Sequence, residues 1–189
     1  MTIELKTITV EEFEAFALSP ENVEREFEFI GGEIVEVVSN PASSNTSVRI
    51  SGFLFMYLQQ NDIGYLTGAD GGYWVSGERY IPDVGFITYA KQPELAYRNG
   101  YIPNPPDLAV EVLSPGNEDE KMRVKIANYQ AAGTLVWVVD VEEKTVEVYV
   151  AGQPVKILRL DGTIDGGSVL PGFTLAVKAV FPVKHTPSA

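Results

Sequence analysis

The chain has 189 residues, 45% of them hydrophobic and 21% charged, with no cysteine, one histidine and a formal net charge of −12. These values predict one folded domain with a real core. They exclude disulfides, thiol chemistry and zinc sites with several histidines, and they disfavour general disorder and histidine-based triads.

The expected domain spans residues 1–182, with 183–189, including the incidental His185, as a flexible tail. No apolar run approaches the ~20 residues that cross a bilayer, and the N-terminus lacks the basic and apolar regions of a signal peptide. A cytoplasmic protein without a membrane partner is therefore expected. Residues 1–40 hold ten glutamates against Lys6 and Arg25, a net of −8, so the other 149 residues carry only −4. The surface as a whole disfavours a polyanion, but a local basic face remains open.

"TVEE" at Thr9 to Glu12 reads as a capping box that opens a helix through Leu18. "EFEFIGGEIVEVV" (26–38) alternates about Gly31-Gly32 as a β-hairpin with a tight turn, and "NPASSN" follows as a loop. The apolar residues between Thr46 and Gln60 predict a well-buried helix capped by Thr46 or Ser47. Residues 64–89 predict short strands between glycine turns, ending in "DVGFITY", and a loop rich in Pro and Asn (91–106) leads to the strand "LAVEVL" (108–113).

"SPGNEDEKMRVKIANYQAAG" (114–133) gives the clearest helix. Asn117 is a good N-cap, Glu118, Asp119 and Glu120 suit the dipole, and Gly133 can close the end. Met122, Ile126 and Tyr129 form one stripe, and Lys121, Lys125 and Asn128 another. Strands "TLVWVVD" and "KTVEVYV" follow, then turns, a short extended stretch and a last packed segment. The alternation predicts an α/β or α+β layered fold with a mixed sheet.

Glu111 interrupts the apolar strand 108–113, where an unpartnered carboxylate would cost several kcal/mol to bury. Pro82-Asp83 opens the preceding strand. If the two strands are neighbours, Asp83 and Glu111 project from one face and can share a divalent cation. Hard oxygen ligands suit Mg²⁺ or Mn²⁺, and one or two carboxylates suffice when water and phosphate oxygens complete the shell. The next helix brings Lys121 and Lys125 over the sheet, where an ammonium can orient water or steady phosphoryl charge. Each residue also has a plainer reading: Asp83 as a strand opener, Glu111 as a solvent-facing position, Lys121 and Lys125 as a solvated stripe, Asp107 as a strand-edge cap. Tyr129, Trp74 and Trp137 read as packing.

"IPDVGFI" and "PPDLAVEVLSPGNEDEKMRVKIANYQAAGTLVWVVD", with the hairpin "FEFIGGEIVEV" and the closing "VLPGFTLAVKAVF", resemble the Uma-type "putative restriction endonuclease" family of bacteria, in the PD-(D/E)XK superfamily. The resemblance covers nearly the whole chain. It implies a restriction-endonuclease-like core, a mixed sheet flanked by helices with an N-terminal helix and hairpin, that hydrolyses DNA phosphodiester bonds with Mg²⁺. It makes Asp83 the "PD" aspartate, Glu111 the acid of the second half-motif and the Val112 carbonyl a candidate third ligand. The superfamily lysine position holds Leu113, and Lys125 on the next helix matches best in its place, with Lys121 in reserve. Glu28 matches a hairpin glutamate. The family's aspartate before the hairpin glycine is replaced here by Gly31, and its histidine near Ser47 by small polar residues.

The expected function is thus a metal-dependent endodeoxyribonuclease acting on DNA, with a homodimer left open. The alternatives are a binding or assembly module on the same fold with a decayed site, and a metal-dependent hydrolase of a small phosphate compound.

Overall fold

The computed structural model describes residues 8–22, 24–95, 100–114 and 119–181. Helix α1 (Val10–Ala17) begins at the expected box: Thr9 Oγ1 accepts the Glu12 amide, and Glu12 Oε2 accepts the Thr9 amide at 2.9 Å. Strands β1 (Phe27–Ile30) and β2 (Glu33–Glu36) form the hairpin, with Gly31 and Gly32 at φ 61° and 85°, as a type I′ turn requires.

Helix α2 runs from Pro41 to Leu58 and takes in most of the stretch expected to be a loop. Asn40 caps it, its Oδ1 accepting the Ala42 and Ser43 amides at 2.9 and 3.0 Å. Pro41 sits at the first helical position, where its fixed φ and missing N–H do no harm. Thr46 and Ser47, the expected caps, are buried inside the helix instead. Only one face of α2 is buried, through Ile50, Leu54 and Leu58, so it is less enclosed than its apolar content predicts.

The chain continues through β3 (Gly64–Thr67), β4 (Tyr73–Val75), β5 (Glu78–Tyr80), β6 (Val84–Thr88), β7 (Leu108–Leu113), α3 (Asp119–Ala131), β8 (Leu135–Asp140) and β9 (Thr145–Tyr149). It ends with β10 (Lys156–Leu158), β11 (Thr163–Asp165), β12 (Thr174–Ala176) and the short α4 (Val177–Val180). Six strands form the main sheet in the order β10-β9-β8-β7-β6-β3, and β2-β1-β5-β4 form a second. Among the described strands of the main sheet, only β7 and β8 pair in parallel, joined by α3 as the crossover that such a pair needs. Gly133 (φ 78°) ends α3 as expected, with the Thr134 amide donating to Tyr129 O at 2.9 Å. Asn117, Glu118 and residues 183–189 lie outside the described residues. Among those described, no helix is long and apolar enough to cross a membrane.

The main sheet is covered on both faces. On one, Val84, Phe86, Leu108, Val110, Val112 and Trp137 pack with Ile50 and Leu54 of α2. On the other, Ile87, Ala109, Val136 and Val138 pack with Tyr129 of α3 and with Ile30, Tyr73, Val75 and Tyr80 of the second sheet. This accounts for the near-continuous apolar runs of β7 and β8. Glu111 is the exception.

Candidate active site

Alternation along β7 puts Ala109, Glu111 and Leu113 on the face toward α3 and the second sheet. Glu111 is only 4% exposed there, so it is not a solvent-facing position. Both its oxygens are engaged. Lys125 Nζ donates to Oε2 at 2.8 Å, and the Tyr129 hydroxyl donates to Oε1 at 3.0 Å.

Lys125, also 4% exposed, belongs to the buried face of α3 with Met122 and Tyr129. At 100° per residue it sits at the boundary of the two predicted stripes, and the packing places it inward. Its ammonium donates a second bond, at 2.8 Å, to Oε1 of Glu28. That carboxylate, buried on β1, also accepts the Ile81 amide at 2.7 Å on the same oxygen. The Tyr80 ring lies beside the ammonium, 5.6 Å from Nζ to its centroid, and its hydroxyl donates to Glu78 and accepts from Asn128 Nδ2 at 2.6 Å. A buried charge is tolerated when paired and hydrogen-bonded in this way.

Asp83 does not open the strand itself but occupies the bend just before β6. The antiparallel register pairs Val84 with Val110, and one further step sets Asp83 across from Glu111. Asp83 Oδ2 accepts the Val112 amide at 2.7 Å. Within a strand the N–H and C=O of one residue point to the same edge, so the Val112 carbonyl also faces the Asp83 side, while its side chain enters the core on the opposite face. Glu28, Asp83, Glu111, Val112 and Lys125 line one cavity of about 160 Å³. Lys121 stands at its wall in an ion pair with Glu33 at 3.3 Å. Asp107 lies apart, capping the sheet by accepting the Thr88 amide at 2.8 Å.

Burial pushes the Glu111 carboxyl up to about 7, with Lys125 opposing the shift and the charges of Glu28 and Asp83 adding to it. Burial raises Asp83 too, against the pull of the Val112 amide and of Lys125. For Lys125 burial alone would lower the ammonium, but Glu111 and Glu28 outweigh it and hold it above its ordinary value. Burial and the two carboxylates keep Tyr129 well above the usual phenol, hence a neutral donor. One ammonium therefore serves three carboxylates.

Among the described residues no group of three or more acids or histidines converges tightly enough to cage a metal ion. A cation here would rest on one or two carboxylates, with water and phosphate oxygens completing its shell, the usual Mg²⁺ arrangement. Asp83 Oδ1 accepts no hydrogen bond among the described residues, and the hard oxygen donors fit Mg²⁺ or Mn²⁺.

Sequence reasoning missed Tyr129 and Tyr80 as members of the site. The signal available was the spacing of Tyr129 four residues after Lys125, which sets both on one helix face.

Residues 10–178 match the Uma2 family, described as "Putative restriction endonuclease". The chain belongs to the Uma2 family. The span matched in this Uma2 member contains every residue of the cavity network, from Glu28 to Tyr129. A crystal structure described as "a putative nuclease belonging to DUF820" from Anabaena variabilis is similar to it, with a TM-score of 0.80 and 21% identity over 92% of this chain and 97% of that one. The likeness establishes a restriction-endonuclease-like fold, a mixed sheet flanked by helices with an N-terminal helix and hairpin. No curated protein matches this Uma2 chain. Gly31 forms the β1–β2 turn, and Ser47 Oγ donates to Ser44 O at 3.0 Å within α2.

Proposed function

We propose that the chain is a cytoplasmic, divalent-metal-dependent endonuclease that hydrolyses DNA phosphodiester bonds. The reading assigns Asp83 and Glu111 as carboxylate ligands, the Val112 carbonyl as a third, and Lys125 as the catalytic cation. The observation that carries it is the gathering of a buried ammonium and three carboxylates around one cavity, from β1, the bend before β6, β7 and α3 of the nuclease-like fold.

Mg²⁺ or Mn²⁺, when bound, supplies a Lewis acid for the phosphoryl oxygen and lowers the pKa of a coordinated water. Lys125 keeps its proton, so it acts as a fixed charge that orients the attacking water and steadies the growing negative charge on the phosphoryl oxygens, not as a base. Tyr129 fixes the orientation of Glu111, and the Val112 amide fixes that of Asp83. Incubating plasmid DNA with Mg²⁺ or Mn²⁺ and wild type, Asp83→Ala, Glu111→Ala or Lys125→Ala tests the assignment. Cutting by the wild type and at least a hundredfold loss in each variant is expected. Equal cutting by all four, with each variant folded by circular dichroism, rules it out.

One observation favours the alternative of a decayed binding or assembly module: Lys125 and Tyr129 already occupy both oxygens of Glu111. Mn²⁺ titration separates the two readings. A decayed site shows no binding that depends on Asp83 or Glu111.

A further inference from the structure

The outer face of α2 carries the largest exposed apolar residues of the helix. Val48 is 65% exposed, Phe55 55% and Met56 66%. With Asn45, Gly52 and Gln59 they make one stripe at 3–4 residue spacing, the geometry with which two helices pack side by side. In a chain of net charge −12, residues 40–60 hold a single charged side chain, Arg49, whose guanidinium is held by the Ala179 carbonyl at 2.9 Å.

Gly52 lies near the middle of the stripe. A glycine there weakens a helix relative to alanine, yet a Cβ at Gly52 would meet nothing within 4 Å. Packing within the chain does not require it. What a bare backbone allows is close approach from outside.

The stripe is also self-complementary. About Gly52, Val48 and Met56 are equidistant, as are Asn45 and Gln59. Two copies of α2 crossing antiparallel at Gly52 thus set Val48 on Met56 and Asn45 on Gln59, and lay Phe55 against Arg49, whose head the Ala179 carbonyl already holds, as a two-fold interface demands, in which each residue meets its counterpart reciprocally. Two chains of charge −12 repel, and this uncharged face is where they can meet without opposing carboxylates. A differently charged partner would gain more from the acidic hairpin.

We propose that α2 is a homodimer interface, a two-fold antiparallel helix pair centred on Gly52. The inference is independent of the nuclease reading, since the α2 face lies across the main sheet from the cavity.

Sedimentation equilibrium of the full chain tests it. The wild type is expected at twice the chain mass in the micromolar range, and Val48→Glu/Phe55→Glu is expected as a folded monomer, its dimer constant weakened at least a hundredfold. Because the chain has no cysteine, Gly52→Cys reports the crossing point: it should oxidise to a linked dimer, whereas Asn45→Cys should link only when mixed with Gln59→Cys. A monomeric wild type overturns the proposal and leaves the face to the chain's own terminal residues or to another protein. A dimer that survives the double substitution, or that fails to link through Gly52→Cys, places the interface elsewhere and overturns it equally.

Discussion

Without the Lys125 ammonium, Glu28 and Glu111 would face each other in a site with little water to separate their charges. Breaking a buried pair by deleting one partner costs about 3–5 kcal/mol, because the surviving charge is left uncompensated. Lys125→Met, similar in length, should lower stability by that amount in urea unfolding, and adding Glu111→Gln should recover part of the loss. A cost below about 1 kcal/mol would mean the ammonium is solvated, as an exposed pair is.

Glu111 gives a second expectation at this scale. Its carboxyl is held above its ordinary 4.5, at about 7, chiefly by burial, so the folded state binds the proton more tightly than the unfolded chain does. Its contribution is fully present below pH about 4.5 and is lost as the pH rises to about 7. Relative to Glu111→Gln, which does not titrate, the metal-free wild type should lose on the order of 3 kcal/mol across that window and then level off. Paired urea midpoints from pH 4 to 8 measure it, and parallel curves would contradict the shift.

Glu111 stood out because an acid inside an apolar strand needs a reason, and Asp83 because a neighbouring strand would set it beside Glu111, as the register does. Tyr129 was not, since a tyrosine beside apolar helix positions looks like packing until its hydroxyl partner, far away in sequence, is placed.

At the scale of elements, β6 is shaped by a close approach. A Cβ on Gly85 would lie 2.6 Å from the Tyr73 ring and 2.7 Å from Thr67 Oγ1, and Tyr73 is wholly buried. Gly85→Ala should therefore cost about 1–3 kcal/mol by overpacking, unlike an alanine at an open strand glycine. Thermal melting checks this, and an unchanged midpoint would mean that Tyr73 moves freely.

The same strand explains part of what the sequence could convey. The residues around Gly85 read correctly as extended, but nothing in the pattern said that Tyr73 would lie across the glycine. The β1–β2 hairpin and α1 were legible because their signals, paired glycines and a capping box, are local. The start of α2 was not: Pro41, Ser43 and Ser44 are loop formers by composition, and only Asn40 at the cap position makes the proline a helix starter. The three-residue strands β11 and β12 fall in the stretch expected as turns, a short extended stretch and a last packed segment, where three residues show too little of a period of two to fix their bounds.

For the whole molecule, the difficulty for DNA binding is where the positive charge lies. Arg25, Arg79, Lys91, Lys121 and Lys125 are each paired with a carboxylate. Among the described residues Arg49, Arg123, Lys144, Lys156, Arg159 and Lys178 have no such pair, but the Ala179 carbonyl holds Arg49 and the others are spread over α3, the β8–β9 turn, β10 with the loop after it, and α4. Of these, only Arg123 is on the helix that carries Lys125, and it lines a second cavity of about 470 Å³ together with Asp140, Glu142 and Glu147. A continuous cationic track along a duplex is therefore lacking among these residues, and few phosphates can be neutralised at once. Each neutralised phosphate contributes about −0.9 to the slope of log K against log salt on duplex DNA. Two or three contacts give a slope no steeper than about −3, so binding should be weak and only mildly sensitive to salt. Fluorescence anisotropy with a labelled duplex, titrated between 25 and 200 mM salt with Ca²⁺ to hold off cleavage, measures that slope. A value near −6 would mean a phosphate track that these side chains do not supply, whereas a shallow slope leaves substrate selection to the cavity itself.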